Sequence, residues 1–288
     1  MSRPEKPLKE TAMRQETAMT VNFIRLLALA IAIFLAGKAA AAVEIKVGGT
    51  GNALGTMREV AKAYSTGNPG AKITVLPSLG SGGGINAVAN GVIDIAVSSR
   101  PLKDEERALD LVESEYARTP FVFAVPAKST VIAMTSAQIA DLYSGRTQAW
   151  PEGGRVRLVM RPASDGDSQQ IRKMTAAIGE ALTHAEAIPG IKFATNDQEN
   201  AGDIERIPGA FGATTLALIT SEDRPLRALA LDGVEPTVAN AAAGRYPHFT
   251  RLYLVTRSKP AADPQRFIAF LRSRQGGDIL VRNGNWAP

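Results

Sequence analysis

The sequence predicts an α/β fold built on a parallel sheet with crossover helices. Residues 43–47 (VEIKV) alternate apolar and polar side chains, which indicates a strand, and they end at a Gly-Gly pair. Residues 54–66 repeat apolar side chains at helical spacing and end at the turn signal GNPG. A strand-like stretch at 71–77, a helix-like stretch at 83–90 and a strand-like stretch at 92–97 follow. This alternation of strands and helices is typical of parallel α/β sheets.

The middle of the chain predicts a second lobe. A helix is expected after the capping candidates Thr135 and Ser136, and it stops at Gly145. A strand, a polar turn, a helix and a Gly-interrupted strand are then expected at 155–162, 163–168, 169–178 and 209–219. The last of these strands returns to the first lobe, which the tail completes with segments at 226–231, 250–256 and 264–273.

Residues 1–42 have the organisation of a secretory signal peptide. Basic residues precede an apolar run at 26–37 (LLALAIAIFLAG), and small residues follow it. The run is roughly a dozen residues, short of the ~20 that span a bilayer, so cleavage near Ala42 is favoured over the alternative of an uncleaved anchor. We therefore expect export to a Gram-negative periplasm.

Charge and cysteine content narrow the function classes. The formal net charge is +5, but residues 1–42 carry six Lys or Arg and three Asp or Glu, so removing them leaves about +2. The sequence contains no basic run with interleaved aromatic residues, the pattern that would indicate nucleic-acid binding. The absence of cysteine excludes disulfides, thiolate metal sites and a lipidated N-terminal cysteine. No P-loop, dinucleotide fingerprint, zinc-protease motif or nucleophile elbow occurs, so we expect no nucleic acid, metal or cofactor.

Three polar segments each follow the predicted carboxyl end of a strand. They are residues 48–55 (GGTGNALG), 78–84 (SLGSGGG) and 98–101 (SSRP). Ligands of open parallel sheets bind beyond these ends, where helix N-termini present unpaired N–H groups that favour an anion. We therefore predict an anion site, with a flexible glycine turn as the alternative. Arg161, which follows a predicted strand, adds a guanidinium fork suited to a tetrahedral oxyanion, the alternative being a surface arginine.

Four segments occur together in a characteristic order over nearly the whole chain after residue 42. They read GGTGNALG, GSGGGINAVANGVIDIAVSSRPL, MTSAQIADLYSGRTQAWPEGG and IERIPGAFG. In this combination the chain resembles the periplasmic substrate-binding proteins of phosphate ABC importers. The resemblance implies the two-lobe type II periplasmic binding protein fold, in which each lobe is a mostly parallel sheet flanked by helices and two strands cross a hinge. We place lobe 1 at 43–125 plus 214–288, lobe 2 at 126–213, and the hinge near Pro126 and Gly212.

The resemblance also implies the ligand residues of a dehydrated phosphate held only by hydrogen bonds. In the first segment the donor is either Thr50 or Asn52, because the spacing is ambiguous by one residue. Ser81 matches the family's loop serine, and Ser99 stands where some members carry an aspartate that accepts a hydrogen bond from protonated phosphate. Arg161 matches the arginine of the second lobe. The candidate ligand residues are Thr50, Gly51, Asn52, Ser81, Gly82, Ser99, Arg100, Arg161, Asp165, Gly166, Asp167 and Ser168.

The segment after Arg161 departs from the family pattern. The family usually has a Gly-Ser-Gly-Thr turn, whereas this chain has SDGDS at 164–168. An ionised aspartate repels a dianion. Our preferred hypothesis is that Asp165 or Asp167 takes the acceptor role absent at Ser99, so that a protonated oxyanion is favoured over sulfate. The alternatives are weakened phosphate binding in favour of another ligand, and an Asp167 that caps the next helix with its carboxylate turned away.

The expected function is capture of phosphate, or a similar tetrahedral oxyanion, for the membrane permease of an ABC importer. A monomer without catalytic activity is expected. One alternative is a binding protein that signals to a sensor. The other is an enzyme on the same fold, for which Asp165, Asp167 and Glu199 are the titratable candidates. Turnover of a phosphoester distinguishes the enzyme from a protein that only retains phosphate.

Overall fold

The computed structural model describes residues 43–288 of the chain. The predicted signal peptide, residues 1–42, and its cleavage site lie outside the described residues. Within the described part, no helix is both long enough and apolar enough to cross a bilayer.

The strands and helices of residues 43–288 alternate along most of the chain. The strands are β1 (Val43–Gly49), β2 (Ala71–Val75), β3 (Ile95–Ser98), β4 (Leu111–Pro126), β5 (Ala133–Met134), β6 (Arg157–Leu158), β7 (Ala210–Thr215), β8 (Leu226–Ala228), β9 (Ala230–Leu231) and β10 (Phe249–Arg257). The helices are α1 (Gly51–Gly67), α2 (Gly80–Ala89), α3 (Asp104–Arg107), α4 (Ser136–Tyr143), α5 (Gly166–Arg172), α6 (Ala176–Glu186), α7 (Asp197–Arg206), α8 (Leu216–Ser221), α9 (Val238–Ala242), α10 (Ala262–Leu271) and α11 (Arg274–Arg282).

Most of the strands join one mixed sheet. Its strand order is β2-β1-β3-β10-β4-β7-β6, and an eighth strand, β8, also pairs with β4. The pairs β1/β3 and β6/β7 are parallel, as the alternating strand–helix pattern predicts. Strands β4 and β10 run antiparallel to their neighbours, which makes the sheet mixed. The predicted α/β class is therefore confirmed.

Strand β4 connects two hydrophobic cores and was not predicted. Tyr116 and Ala117 pack in the first core, whereas Phe121, Phe123 and Val125 pack in the second. The pairing of β4 with β10 shifts register by one residue beside Tyr116, which is a β-bulge. A bulge bends and twists its strand, and this one lies where β4 leaves the first core.

The first core joins α1 to the sheet and to the C-terminal helices. Met57 and Tyr64 of α1 are buried at the predicted helical spacing. The Tyr64 ring meets the rings of Phe267 and Phe270 edge-on, with centroids 5.4 and 5.3 Å apart. The C-terminal tail therefore packs against the last turn of α1.

The second core is an aromatic cluster around Phe211 of β7. The Phe211 ring stacks on Phe123 of β4 at 5.3 Å and meets Tyr143 edge-on at 5.8 Å. Leu229 and Tyr246 also pack here. The chain therefore contributes to the second core after β7, before β10 returns to the first.

The glycine-rich segments begin helices instead of forming loops. Residues 48–55 were predicted as a loop, yet α1 starts at Gly51; residues 78–84 were also predicted as a loop, yet α2 starts at Gly80. The physical reason lies at Gly84, where an added Cβ would lie 2.7 Å from the Cα of Gly49. Glycine here lets α2 pack directly on the end of β1, a tertiary contact that local propensity does not encode.

Two further element boundaries were predicted wrongly. The helix expected over 169–178 is interrupted, because α5 ends at Arg172 and Thr175 caps α6 by accepting from the Ile178 N–H. The strand expected over 209–219 ends at Thr215, which caps α8 through its hydroxyl. In both places a threonine side chain starts a new helix within an apolar stretch.

Candidate functional site

The carboxyl end of β1 turns directly into helix α1. Gly49 ends the strand with φ +134°, and the Thr50 N–H donates to the Val97 carbonyl at 2.9 Å. Thr50 is the N-cap residue of α1, but its side chain does not cap its own helix. The first N–H groups of α1 therefore need an acceptor from elsewhere in the fold.

Three hydroxyl groups meet where β1 and β3 end and α2 begins. The Ser99 Oγ lies 3.1 Å from the Ser81 Oγ and donates to the Thr50 Oγ1 at 3.4 Å. The Ser99 N–H donates to the Ser81 Oγ at 3.0 Å. The convergence of the three segments that the sequence predicted is confirmed by these contacts.

Thr50 and Asn52 face different partners. The Asn52 side-chain oxygen accepts from the Thr215 hydroxyl at 3.0 Å, deep in the fold. Its backbone N–H, by contrast, points out of the start of α1 beside the Thr50 hydroxyl. Thr50 therefore faces the hydroxyl cluster through its side chain, whereas Asn52 contributes its main-chain N–H beside it.

Arg161 follows β6 and is buried, with 9% of its surface exposed. Its Nη1 donates to the Ala194 carbonyl at 3.0 Å, and its Nη2 donates to Asp165 Oδ2 at 2.6 Å. Ser168 holds the Arg161 backbone by donating to its carbonyl at 2.8 Å. The Arg161 Nε has no hydrogen-bond partner among the described residues. The alternative prediction, that Arg161 is a surface arginine, is therefore wrong.

The SDGDS segment forms the start of α5. Asp165 is the N-cap residue, and its Oδ1 accepts from the Asp167 N–H at 3.0 Å. The alternative in which Asp167 caps this helix is therefore wrong. Asp167 is instead buried, with 6% of its surface exposed. Gly166 and Ser168 complete the turn that places Asp167 beside Arg161.

Asp197 connects the start of α1 with Arg161. It lies outside the segments predicted from the sequence to bind the ligand. Its Oδ2 accepts from the Thr50 hydroxyl at 3.1 Å and from the Asn52 N–H at 3.1 Å. Its Oδ1 lies 3.7 Å from Arg161 Nη2. At Gly51 an added Cβ would lie 2.8 Å from the Asp197 Cβ, so α7 approaches α1 closely. The Asp197 carboxylate thus supplies the cap that α1 lacks.

Burial dominates the ionisation of the two buried aspartates. Burial raises the pKa of Asp167 well above its ordinary value, the charges of Asp197 and Asp165 raise it further, and Arg161 opposes them. Burial also raises the pKa of Asp197, against the lowering effect of Arg161. One guanidinium therefore serves three carboxyl groups, and the burial of two of them favours their protonated forms.

Arg100 and Gly82, both predicted as ligand residues, lie beside the hydroxyl cluster. Arg100 forms a two-pronged ion pair with Glu106, with both N–O distances at 2.7 Å. An added Cβ at Gly82 would lie 3.7 Å from the Arg100 Nη2. The guanidinium of Arg100 is thus engaged in a structural pair, unlike the Nε of Arg161.

We expect Arg100→Gln to change the dissociation constant for phosphate by less than about threefold, because the Arg100 charge is already neutralised by Glu106. Isothermal titration of this variant beside the wild type measures the change. A rise of tenfold or more would place Arg100 among the ligand contacts instead.

The space around Arg161 and Asp167 is closed. A cavity lined by both residues and by Tyr143, Asn200 and Ala213 measures about 10 Å³. This volume holds about one water molecule, so a tetrahedral oxyanion does not fit there. Among the described residues, no cluster of three or more His, Asp or Glu side chains is placed to hold a metal ion.

The chain is similar to one superfamily of proteins over most of its length. A family model described as PBP superfamily domain matches residues 36–275. The phosphate-binding protein PstS of Bacillus subtilis (strain 168) is 28% identical over 237 residues, covering 79% of this chain and 75% of that protein. The phosphate-binding protein PstS of Borreliella burgdorferi is 25% identical over 250 residues, covering 83% and 88%.

Solved structures show the same fold. The crystal structure of a substrate-binding protein with bound phosphate from Clostridium perfringens superimposes with a TM-score of 0.72 at 23% identity, covering 85% of this chain and all of that one. The predicted type II periplasmic binding protein fold is therefore confirmed. Since the family model spans most of the sequence, the chain belongs to the PBP superfamily.

Proposed function

We propose that this protein captures phosphate, or a closely related tetrahedral oxyanion, and delivers it to the membrane permease of an ABC importer. Relatives named phosphate-binding protein match over most of the chain, which supports this ligand class. We further propose that the protein is exported to the periplasm by its signal peptide, acts as a monomer and has no catalytic activity.

The observation that carries the proposal is that predicted ligand residues already surround a carboxylate of the protein itself. The Asp197 carboxylate accepts from the Thr50 hydroxyl and the Asn52 N–H, and it faces Arg161. A hydroxyl, a helix N-terminus and a buried guanidinium are the donors that suit a phosphate oxygen. The Arg161 Nε, buried and without a partner in the described residues, is a further donor for such a ligand.

We also propose that the two hydrophobic cores are the cores of two lobes. Strands β4 and β10 are then the crossings, because β4 passes from the first core to the second, and the chain returns from Tyr246 in the second core to Leu252 of β10 in the first. This proposal places Phe123, Leu229 and Tyr246 in the second lobe, outside the predicted limits at 125/126 and 213/214, and the hinge near Pro126 and Gly212 stays a prediction.

We propose that Asp167, rather than Asp165, accepts a hydrogen bond from the protonated oxyanion. Both oxygens of Asp165 are engaged, one by Arg161 and one by the Asp167 N–H. Asp167 is buried beside Arg161, and only its ionised form accepts a hydrogen bond from a protonated oxyanion, so its raised pKa confines this role to higher pH. Asp167→Asn is expected to alter the preference for phosphate over sulfate, whereas unchanged selectivity would exclude this role.

The proposed function is tested by titrating the purified protein, freed of bound anions by unfolding and refolding, with phosphate and with sulfate. We expect one phosphate per chain, with sulfate bound at least about tenfold more weakly because it carries no proton at neutral pH. Incubation with a chromogenic phosphomonoester tests for an enzyme, and we expect no hydrolysis. Failure to bind either anion, or steady turnover of the ester, would contradict the proposal.

A further inference from the structure

We infer that Asp197 is an internal competitor for the oxyanion: its carboxylate occupies the ligand's position at the start of α1, and binding requires its displacement. This inference rests on the proposed function. It assigns Asp197 a role in setting affinity and its pH dependence, rather than a structural role alone.

The contacts of Asp197 are those of a bound anion. Its Oδ2 receives two hydrogen bonds at the N-terminus of α1, from the Thr50 hydroxyl and the Asn52 N–H, both at 3.1 Å. Its Oδ1 lies 3.7 Å from Arg161 Nη2. Only 6% of the Asp197 surface is exposed. The Thr50 hydroxyl and the Asn52 N–H already donate to the Asp197 carboxylate, so an oxyanion that uses these donors must replace it.

Two hydrogen bonds fix the start of α7, on which Asp197 lies. Asp197 starts α7, and its position is fixed because the side chain of the preceding Asn196 caps this helix by accepting from the Glu199 N–H at 2.9 Å. Gln198 ties α7 to α1 by donating to the Gly51 carbonyl at 3.1 Å. Displacement of Asp197 is therefore a movement of the α7 start away from α1, and ligand binding is coupled to it.

Charge makes the competition depend on pH. The charged and titratable groups that face Asp197 are Arg161 after β6, the N-cap Asp165 of α5, and Asp167 within α5. Helix α1 contributes Thr50 and Asn52, which do not titrate. Burial raises the pKa of Asp197. Below that pKa the neutral carboxyl is held less tightly by Arg161 and by α1, and above it the carboxylate competes in full.

The test compares phosphate binding by the wild-type protein, Asp197→Asn and Glu199→Gln. Asp197→Asn keeps an acceptor oxygen for Thr50 and Asn52 but removes the charge. Glu199→Gln is the matched control, because Glu199 lies in the same first turn of α7 yet bonds to Thr195 and not to α1. The dissociation constants are measured from about pH 5 to about pH 8. The ionisation of phosphate affects both proteins equally, so its contribution cancels in the ratio of the wild-type and variant constants.

We expect Asp197→Asn to bind phosphate at least about tenfold more tightly than the wild type at the alkaline end, since an anionic competitor is lost. This advantage should shrink toward unity as the pH falls, and Glu199→Gln should match the wild type at every pH. Equal or weaker binding by Asp197→Asn, with the wild type binding normally, overturns the inference and leaves the proposed function standing. If neither protein binds an oxyanion at any pH, the proposed function fails, and the inference fails with it.

Discussion

Replacing Arg161 with glutamine is expected to weaken phosphate binding by at least about 100-fold. A hydrogen bond from a charged donor contributes about 1.5–3 kcal/mol, and Arg161 offers the ligand its charge and its Nε–H, which has no partner among the described residues. Its position is rigid, because the Ala194 carbonyl and Asp165 hold its two terminal nitrogens. The variant therefore removes a donor set that no neighbouring cation in the described site replaces.

The control for this prediction is Arg157→Gln. Arg157 lies in β6 of the same segment, is exposed, and donates to the Pro208 carbonyl at 2.9 Å, away from the site. Arg161→Lys keeps the charge and is expected to bind with intermediate affinity, because one ammonium cannot reproduce the fork. Titration calorimetry measures binding, and circular dichroism confirms that each variant is folded. A folded Arg161→Gln protein that binds within about threefold of the wild type would contradict the assignment.

Replacing Gly49 with alanine is expected to lower the free energy of unfolding by more than about 3 kcal/mol. Gly49 has φ +134°, a conformation that residues with a Cβ rarely adopt. The added Cβ would lie 1.9 Å from the Val97 carbonyl oxygen, which accepts the Thr50 N–H. Backbone must therefore shift, and the shift moves Thr50 away from its site partners.

Gly277→Ala is the matched substitution. Gly277 lies within α11, and an added Cβ would meet nothing within 4 Å. Alanine is the better helix former by about 0.5–1 kcal/mol, so this variant should be as stable as the wild type or more so. Urea denaturation measures both variants. Equal unfolding midpoints for the two proteins would show that the end of β1 tolerates a side chain, and would remove the strain argument for Gly49.

The two Gly→Ala variants also differ in their expected effect on binding. The Gly49 substitution displaces the Thr50 hydroxyl and the α1 N-terminus, so phosphate affinity should fall with stability. Gly277 is in the C-terminal helix and does not contact the site, so affinity should be unchanged. A destabilised Gly49→Ala protein with normal phosphate affinity would contradict this prediction. It would show that Gly49 stabilises the fold without positioning the binding site.

Local patterns predicted those elements whose signals lie within the element itself. The helical spacing of Met57 and Tyr64 predicts α1, and the capping box of Thr135 with Gln138 starts α4 as expected. Strand β4 escaped prediction because most of its second half is buried and alternation is lost there, while its antiparallel pairing with β10 joins distant segments. The helical start at Gly80 escaped prediction because glycine disfavours helices locally, although Gly84 is needed for packing on Gly49.

The sequence by itself determined the α/β class, the meeting of three polar segments at the strand ends, and the candidacy of Arg161 as the cation. These follow from residue type and position relative to a strand end, which are local properties. Asp197 could not be found in this way, because it lies 147 and 145 residues from the Thr50 and Asn52 groups that it contacts. Its only local signal, an Asn cap before an acidic first turn, is common to many helices.

Only the tertiary structure decided which carboxylate faces Arg161 and the α1 N-terminus, and which one caps α5. The sequence predicts a helix cap and an acceptor for the protonated ligand within SDGDS, where Asp165 and Asp167 are close to Arg161 along the chain. The fold instead assigns the cap to Asp165, burial to Asp167 and the contact with α1 to Asp197. The physical reason is that hydrogen bonds and charge pairs act through distances in space, and the packing of α7 against α1 sets those distances.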